Sequence, residues 1–588
     1  MITITDFKRP FAVSFSATSE LTPGKIASQE DSMRDSSMSL RQASVAVLVL
    51  AVVFAKPGIM TAQSYTPIHD FNCKTEGCNP KYPDILAQGR DANLYATMPI
   101  GGTSNDGTAF GIDPDADLLV SMYTFDGANG VMPRGGLTLG TDGNFYGTTY
   151  AGGLGFGTIF KITMGSTPMI TTLYTFTGTN GTSCPTTGKP DGGNPYGAPI
   201  QGSDSNFYGV TSRGTAYKIT PAGKFTPLCS SSSPLIPFGS RAPVVQASDG
   251  NFYGTSTSGN GTVFRFSPSG VVKIVYPFSG SDGSGPIGPL IQASDGNLYG
   301  TTASGVPSAS GEVFRLTTSG TLKILYPFDK NNNKTFGYSP NAGVIEATDG
   351  NLYGSTQYGG DTTCSVAGCG VLFKLTKSGT YKVLHTFGSS EPSQPQATQT
   401  QHTNGKLYGL VNGPVSNYSG GGRLYSLDLG LAPFARLRTT SGKPGQTVEI
   451  LGDGLTGTTS VKFGTGASSF IVVSDTYLTA VVPVTGTTGS VTVTTPSSTL
   501  KSSKIFKVVP TITSFNPTSG PVGTQVTISG TGLTQVSKVT FGGVKATAFT
   551  VNSATQVTAT VPTGAVTGKI AVTTPGGSAT SAGVFTVM

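Results

Sequence analysis

The chain has 588 residues with 82 Gly, no Trp and 3 His; charged residues make up 11% and the formal net charge is +7. So few charges, against about 25% in ordinary globular chains, leave Ser, Thr, Asn and Gly to build the surface. No run of Lys or Arg concentrates the positive balance, which excludes nucleic acid as the expected partner. The length predicts several domains, at about 150 residues each.

Residues 45–55 are eleven uninterrupted apolar residues preceded by Arg41 and followed by small residues up to Ala62. About 20 would be needed to span a bilayer, so the stretch reads as a signal-peptide core within a 1–62 leader. Cleavage is expected near Ala62-Gln63, translation start at Met33 or Met38, and no transmembrane segment afterwards. The first Cys is Cys73, too far behind the apolar core for a lipid anchor.

Export permits disulfides. Cys73 with Cys78 and Cys364 with Cys369 each enclose four residues, giving two expected local bridges and leaving Cys184 and Cys229 as candidates for a third. Zinc is the competing reading, but the histidines are only His69, His385 and His402, and no second Cys pair lies at finger spacing.

Beyond the leader a phrase recurs seven times, fullest as Ser-Asp-Gly-Asn-Leu-Tyr-Gly-Thr-Thr, with Tyr95, Tyr146, Tyr208, Tyr253, Tyr299, Tyr353 and Tyr408 spaced 45 to 62 residues apart. Units of this size built from short strands predict propeller blades. Residues 288–328 divide into four strand-like pieces, the first two joined by Asp295-Gly296, a tight-hairpin signal because a primed turn needs positive φ. Units one and three carry Asp91-Ala92 and Asp204-Ser205 instead, which predicts different turns there. The fourth strand ends aromatic-x-Phe, as in Tyr326-Pro-Phe328, and His385-Thr-Phe387 occupies that place in unit six, so His385 reads as packing. Residues 65–71 match a fourth strand with no first three before it, and residues 396–429 supply three strands without a fourth. Joining them removes exposed sheet edges and predicts a closed seven-bladed β-propeller over 63–430.

Residues 65–430 resemble the secreted bacterial proteins with tandem GloVer repeats, on motifs such as Ser248-Asp-Gly-Asn-Phe-Tyr-Gly-Thr255. They are similar, more distantly, to the two-component-regulator propeller repeat, which has Trp where this chain has Tyr. The resemblance implies fold and export and no particular reaction. After Leu429 the composition shifts to Thr, Val and Gly. Residues 510–533 resemble the opening of IPT/TIG domains, immunoglobulin-like β-sandwiches, and residues 441–455 repeat that opening loosely, so two sandwiches are expected over 431–509 and 510–588. The fold class expected is all-β, a seven-bladed propeller followed by two such sandwiches, the latter spacing the propeller from a surface or making a protein contact.

In a meander the tight first-to-second and third-to-fourth turns share one end, and the long connections share the other. Variable long loops on a rigid ring are the usual place for binding, which points to Tyr150, Asn332, Tyr358 and Asp361. On the innermost strand, three residues before the turn Asp, stand Gln88, Leu139, Gln201, Gln246, Gln292, Glu346 and Gln401. Six of these seven are polar, either meeting a ligand in the axial channel or satisfying backbone near the axis. Asp113, Asp115 and Asp117 alternate as calcium ligands do, without the Gly and Glu that complete a helix-loop-helix calcium loop, so no cofactor is assigned beyond this weak Ca²⁺ candidate. No Ser-His-Asp order or paired-carboxylate spacing assigns a catalytic residue. The reading is an exported, non-enzymatic binding or adhesion protein for an extracellular glycan or surface protein. The alternatives are a propeller lyase or hydrolase acting on polysaccharide, and a structural envelope protein; the residues set no oligomeric state.

Overall fold

Three residues suffice to reverse the chain when a type I turn is followed by one residue of positive φ. In the computed structural model, Gly296 donates its N–H to Ala293 O at 2.9 Å and Ala293 donates to Asn297 O at 3.0 Å, enclosing Ser294-Asp295-Gly296 with Gly296 at φ 81°. Ala92 (φ 67°) and Ser205 (φ 66°) take the same left-handed position, so units one and three keep the turn and carry its strain without glycine. A two-residue primed hairpin is not what the phrase encodes. The carboxylate of Asp295 accepts the Asn297 N–H (3.1 Å), the Asn297 amide (3.0 Å) and the Tyr299 hydroxyl (2.6 Å). The set recurs at Asp91, Asp142, Asp204, Asp249 and Asp349, and Asn404 takes the place of Asp before Tyr408.

The structure describes residues 63–80, 86–165, 168–179, 190–228, 236–305, 310–329, 334–413 and 420–588; the leader, Asn332, Cys184 and Cys229 lie outside them. The described residues are all-β but for one 3-10 turn at Lys334–Phe336, and none of their helices is long and apolar enough to cross a membrane. Seven antiparallel sheets of four strands run in chain order. Unit five is typical: Ile291–Gln292, Leu298–Thr302, Glu312–Leu316 and Leu322–Pro327, hydrogen-bonded in that order. In the seventh, Ser64–Asn72 supplies the outermost strand beside Gly420–Asp428, Leu407–Val411 and Thr400–Gln401. There Asp70 pairs with Arg423, whose guanidinium donates twice to its carboxylate at 2.5 and 2.8 Å.

The apolar core lies between sheets. Each repeat tyrosine is buried against the next unit: Tyr95 meets Phe145 at 4.3 Å, Tyr146 Phe207 at 3.9 Å and Tyr208 Phe252 at 4.1 Å, whereas Tyr253, Tyr299, Tyr353 and Tyr408 share their cores with Leu298, Leu352, Leu407 and Leu94. Phe71, Tyr408 and Leu424 of unit seven pack with Leu94, Phe110 and Ile112 of unit one, so the first and last units share a core. His385 stacks on Tyr65 at 3.8 Å, as a packing residue does. Cys73–Cys78 and Cys364–Cys369 are disulfides.

Residues 436–508 and 511–587 each form a four-stranded and a five-stranded sheet with the same strand order. In the first the order is Arg436–Leu437, Thr447–Leu451, Tyr477–Val481, Phe470–Ser474; in the second, Thr511–Asn516, Gln525–Thr531, Gln556–Thr560, Phe549–Ser553. Alternate residues such as Val448 and Ile450, or Val526 and Ile528, are buried between the sheets, the pattern of a half-buried antiparallel strand.

The first sandwich does not stand off from the repeat units. Phe434 donates its N–H to Thr403 O (3.0 Å), Thr403 its hydroxyl to Gly452 O (3.1 Å), and Thr476 its hydroxyl to Arg90 O (2.6 Å). Arg90 pairs with Glu449 at 2.5 Å beneath the Tyr477 ring. Every repeat-unit partner in these bonds lies in a first-to-second turn. A spacing role, expected of both sandwiches, is therefore open geometrically only to the second.

Candidate functional site

The innermost strands are two residues long, and their two ends are built differently. At the tight-turn end, Gln201 accepts the Thr141 N–H at 2.9 Å, Gln246 that of Ser203 at 2.9 Å, Gln292 that of Ser248 at 2.7 Å and Gln401 that of Thr348 at 3.0 Å. Glu346 accepts the Ser294 N–H at 2.8 Å and its hydroxyl at 2.6 Å, and Gln88 accepts the Thr403 N–H at 3.1 Å, joining units one and seven. Leu139 has no polar group to offer, and there Arg90 reaches across to Thr141 O at 2.9 Å. These side chains are engaged with the backbone of the preceding unit; at the buried Thr403 N–H an unsatisfied donor would cost about 1–3 kcal/mol.

Five residues before each ring position, at the opposite end, stand Arg134, Tyr196 and Arg241 in units two to four. Their side chains meet across unit boundaries. The Arg134 guanidinium lies 3.8 Å from the Tyr150 ring centroid and 4.9 Å from that of Tyr196; Arg241 lies 5.8 Å from Tyr196, and the two rings meet edge to face at 4.9 Å. Backbone pairing sets the positions: Tyr150 donates its N–H to Met132 O (2.9 Å), Val131 pairs with Ala151, and Asn194 donates its amide to Tyr150 O (2.9 Å). Burial raises the Tyr196 hydroxyl above its ordinary range although Arg134 opposes the shift. Two guanidinium groups beside two phenol rings offer forked donors for a carboxylate and flat faces for an apolar ring surface.

In unit six Tyr358 pairs through its backbone with Tyr338, the rings are 5.5 Å apart, and Gln357 donates to the Tyr358 hydroxyl at 3.0 Å while receiving a bond from Asn341. Asp361 is a turn residue: its carboxylate accepts the Thr363 N–H at 2.9 Å, and its carbonyl accepts the Cys369 N–H at 2.8 Å beside the disulfide. The expected loop residues therefore separate into two groups, Tyr150 in the arginine cluster and Tyr358 with Tyr338 and Asn341. Sequence reasoning missed Arg134, Tyr196 and Arg241. The signal available was their shared offset from the ring position.

Asp113 accepts the N–H groups of Asp115 (2.9 Å) and Ala116 (3.2 Å), and Asp117 lies 2.8 Å from His69. Among the described residues no three His, Cys, Asp or Glu converge on a metal position. Glu312 is buried, its Oε2 has no hydrogen-bond partner among the described residues, and burial together with the Asp282 charge pushes its carboxyl up to about 7. Asp282 itself accepts the Tyr276 hydroxyl at 2.5 Å and the Ser279 N–H at 2.8 Å.

No curated protein matches the chain. Similar solved structures include a fungal alcohol oxidase of the AA5 family in complex with copper (12% identity over 75% of this chain and 100% of that one, TM-score 0.43). A gluconolactonase from Xanthomonas campestris is similar at 10% identity over 60% of this chain and 99% of that one, TM-score 0.31. A surface glycan-binding protein from Prevotella bryantii is similar at 20% identity over 26% of this chain and 41% of that one, TM-score 0.20. The IPT/TIG domain family matches residues 510–587, and the Gloeobacter/Verrucomicrobia repeat matches residues 58–188, 183–366 and 258–471. With most of its length matched, the chain belongs to the Gloeobacter/Verrucomicrobia repeat family and carries a C-terminal IPT/TIG domain.

Proposed function

We propose that this is an exported, non-enzymatic binding protein whose seven sheets form a closed seven-bladed propeller and whose long-loop end recognises an extracellular glycan. The observation that carries the reading is the cluster of Arg134, Tyr150, Tyr196 and Arg241, where stacked guanidinium and phenol groups from three units gather at one end of the innermost strands. Sugar rings present one apolar face suited to phenol rings, and uronic acids add a carboxylate suited to arginine. The apolar leader and the two disulfides favour export. Closure is supported by the shared last sheet and the Gln88–Thr403 bonds. The strand order common to both sandwiches favours a second IPT/TIG-like module over 431–509. In this reading the first module caps the tight-turn end, and the second, over 510–588, is the spacer.

A glycan array probed with full-length protein, with reducing-end release assayed in parallel, tests this. Binding without turnover, lost in Arg134→Ala and Tyr196→Ala, is expected. Glu312 favours the second reading, a polysaccharide lyase or hydrolase, because a buried carboxyl raised to about 7 is suited to proton transfer at neutral pH. Turnover abolished by Glu312→Gln would establish that reading and overturn the first.

A further inference from the structure

Where the first sandwich meets the tight-turn end it leaves a cavity of about 430 Å³, lined by the innermost strands of units five to seven and by residues of the sandwich. That volume is within the range of about 300–1,000 Å³ typical of small-molecule sites. Arg436, Arg438 and Lys504 line it together with Gln292, Glu346 and Thr400. Each cation touches an innermost-strand carbonyl: Arg436 donates to Gln401 O, Arg438 to Leu139 O, and Lys504 to Gln292 O at 3.2 Å.

Charge around the cavity is unbalanced. Among the described residues none of the three cations stands within ion-pair distance of a carboxylate; Glu346 pairs with Lys377 and Glu449 with Arg90, and their charges reach Lys504 and Arg438 only from farther off. The Nε–H groups of Arg436 and Arg438 are buried without a hydrogen-bond partner among the described residues. Burial pulls the Arg436 guanidinium down to about 10, the like charge of Arg438 adding to the effect, and burial brings Arg438 to about 10 as well. Both remain charged at neutral pH. Clustered like charges with unused donors are relieved by an anion between them, and a guanidinium fork suits a planar or tetrahedral oxyanion.

We propose that this cavity is a binding site for a small oxyanion-bearing solute, its anionic group held by Arg436, Arg438 and Lys504 and its polar remainder by Thr400. The ligand bridges the first sandwich and the repeat units, so its binding also strengthens their junction. The site is separate from the Arg134 cluster and does not depend on what that cluster recognises.

Isothermal titration of full-length protein with galacturonate, with inorganic phosphate and with galactose tests the proposal. Saturable binding of galacturonate alone identifies a carboxylated sugar as the ligand class, and saturable binding of phosphate identifies a free oxyanion; galactose is expected not to bind. Arg436→Gln and Arg438→Gln should each weaken affinity about tenfold or more. Lys504→Gln, at the exposed rim, should weaken it by a smaller factor without disturbing the fold. Arg134→Ala, which removes any uronate held at the other cluster, should keep this binding. The proposal is overturned by absence of binding for both anions in Arg134→Ala, or by affinity there that is insensitive to Lys504→Gln and the arginine variants.

Discussion

The two ends of the innermost strands carry polar side chains of similar size and use them in opposite ways. At the tight-turn end Gln201, Gln246, Gln292 and Gln401 occupy one repeating position, and each accepts a backbone N–H of the preceding unit with its amide oxygen while its amide nitrogen donates to a carbonyl of its own turn. At the long-loop end the corresponding position holds Arg134, Tyr196 and Arg241, whose side chains touch one another. Repetition marks the places where each unit must solve the same backbone problem. Departure from it marks places that the ring geometry leaves unconstrained.

Removing a whole buried ring from the repeating end should break the comparison most severely. Tyr299→Ala removes a 0% exposed side chain and the hydroxyl bonded to Asp295, at an expected cost of about 3–5 kcal/mol. Tyr196→Ala, at the other end, should cost about 1 kcal/mol or less while abolishing glycan binding. Thermal unfolding of the two variants side by side checks both. Next in size, Gln292→Ala removes the acceptor of the exposed Ser248 N–H and should cost about 0.5–1.5 kcal/mol. Gln292→Glu keeps an acceptor for the Ser248 N–H, as Glu346 does in unit six beside Lys377, but loses the bond to Gly296 O and should cost about as much as Gln292→Ala.

Acid sensitivity sharpens the contrast further. Burial alone would raise the Asp249 carboxyl, but hydrogen bonds from Asn251 and Tyr253 outweigh it and hold it below its ordinary range, as they do at the turn aspartates of four other units. A depressed carboxylate contributes stability above its unfolded pKa and loses it as pH falls through the folded value. The melting temperature should therefore drop more steeply in wild type than in Asp249→Asn between about pH 5 and 3. Glu312 has the opposite sign: raised to about 7, it favours the fold when protonated and penalises it as pH rises through that value. Glu312→Gln should be more stable than wild type at pH 8 and equal to it at pH 4.

How much of this was legible follows from how local each interaction is. The recurring phrase located every first turn, even where Ala92, Ser205 or Asn404 departs from Asp-Gly, and the four-residue gap from Asp to Tyr contained the hydrogen bond that braces it. The phrase misled on turn type, because one backbone bond, Ala293 N–H to Asn297 O, makes the loop three residues rather than two. The ring position was legible as a column of amides. That each amide reaches backwards to the previous unit depends on how neighbouring sheets tilt, which no single unit encodes. Arg134 and Tyr196 were hidden because they are 62 residues apart and their column is chemically mixed. The seat of the first sandwich was less legible still: Arg436 and Arg438 look like ordinary surface residues until the carbonyls of Gln401 and Leu139 are placed beside them.

Hydrogen exchange of full-length protein with and without a bound array glycan tests the division of labour between the two ends most directly. The account predicts slowed exchange at residues 130–134, 149–151, 194–197 and 239–242, with the turns at 89–93, 247–251 and 293–297 unchanged. Slowed exchange at those turns, with none around Arg134 and Tyr196, would contradict it.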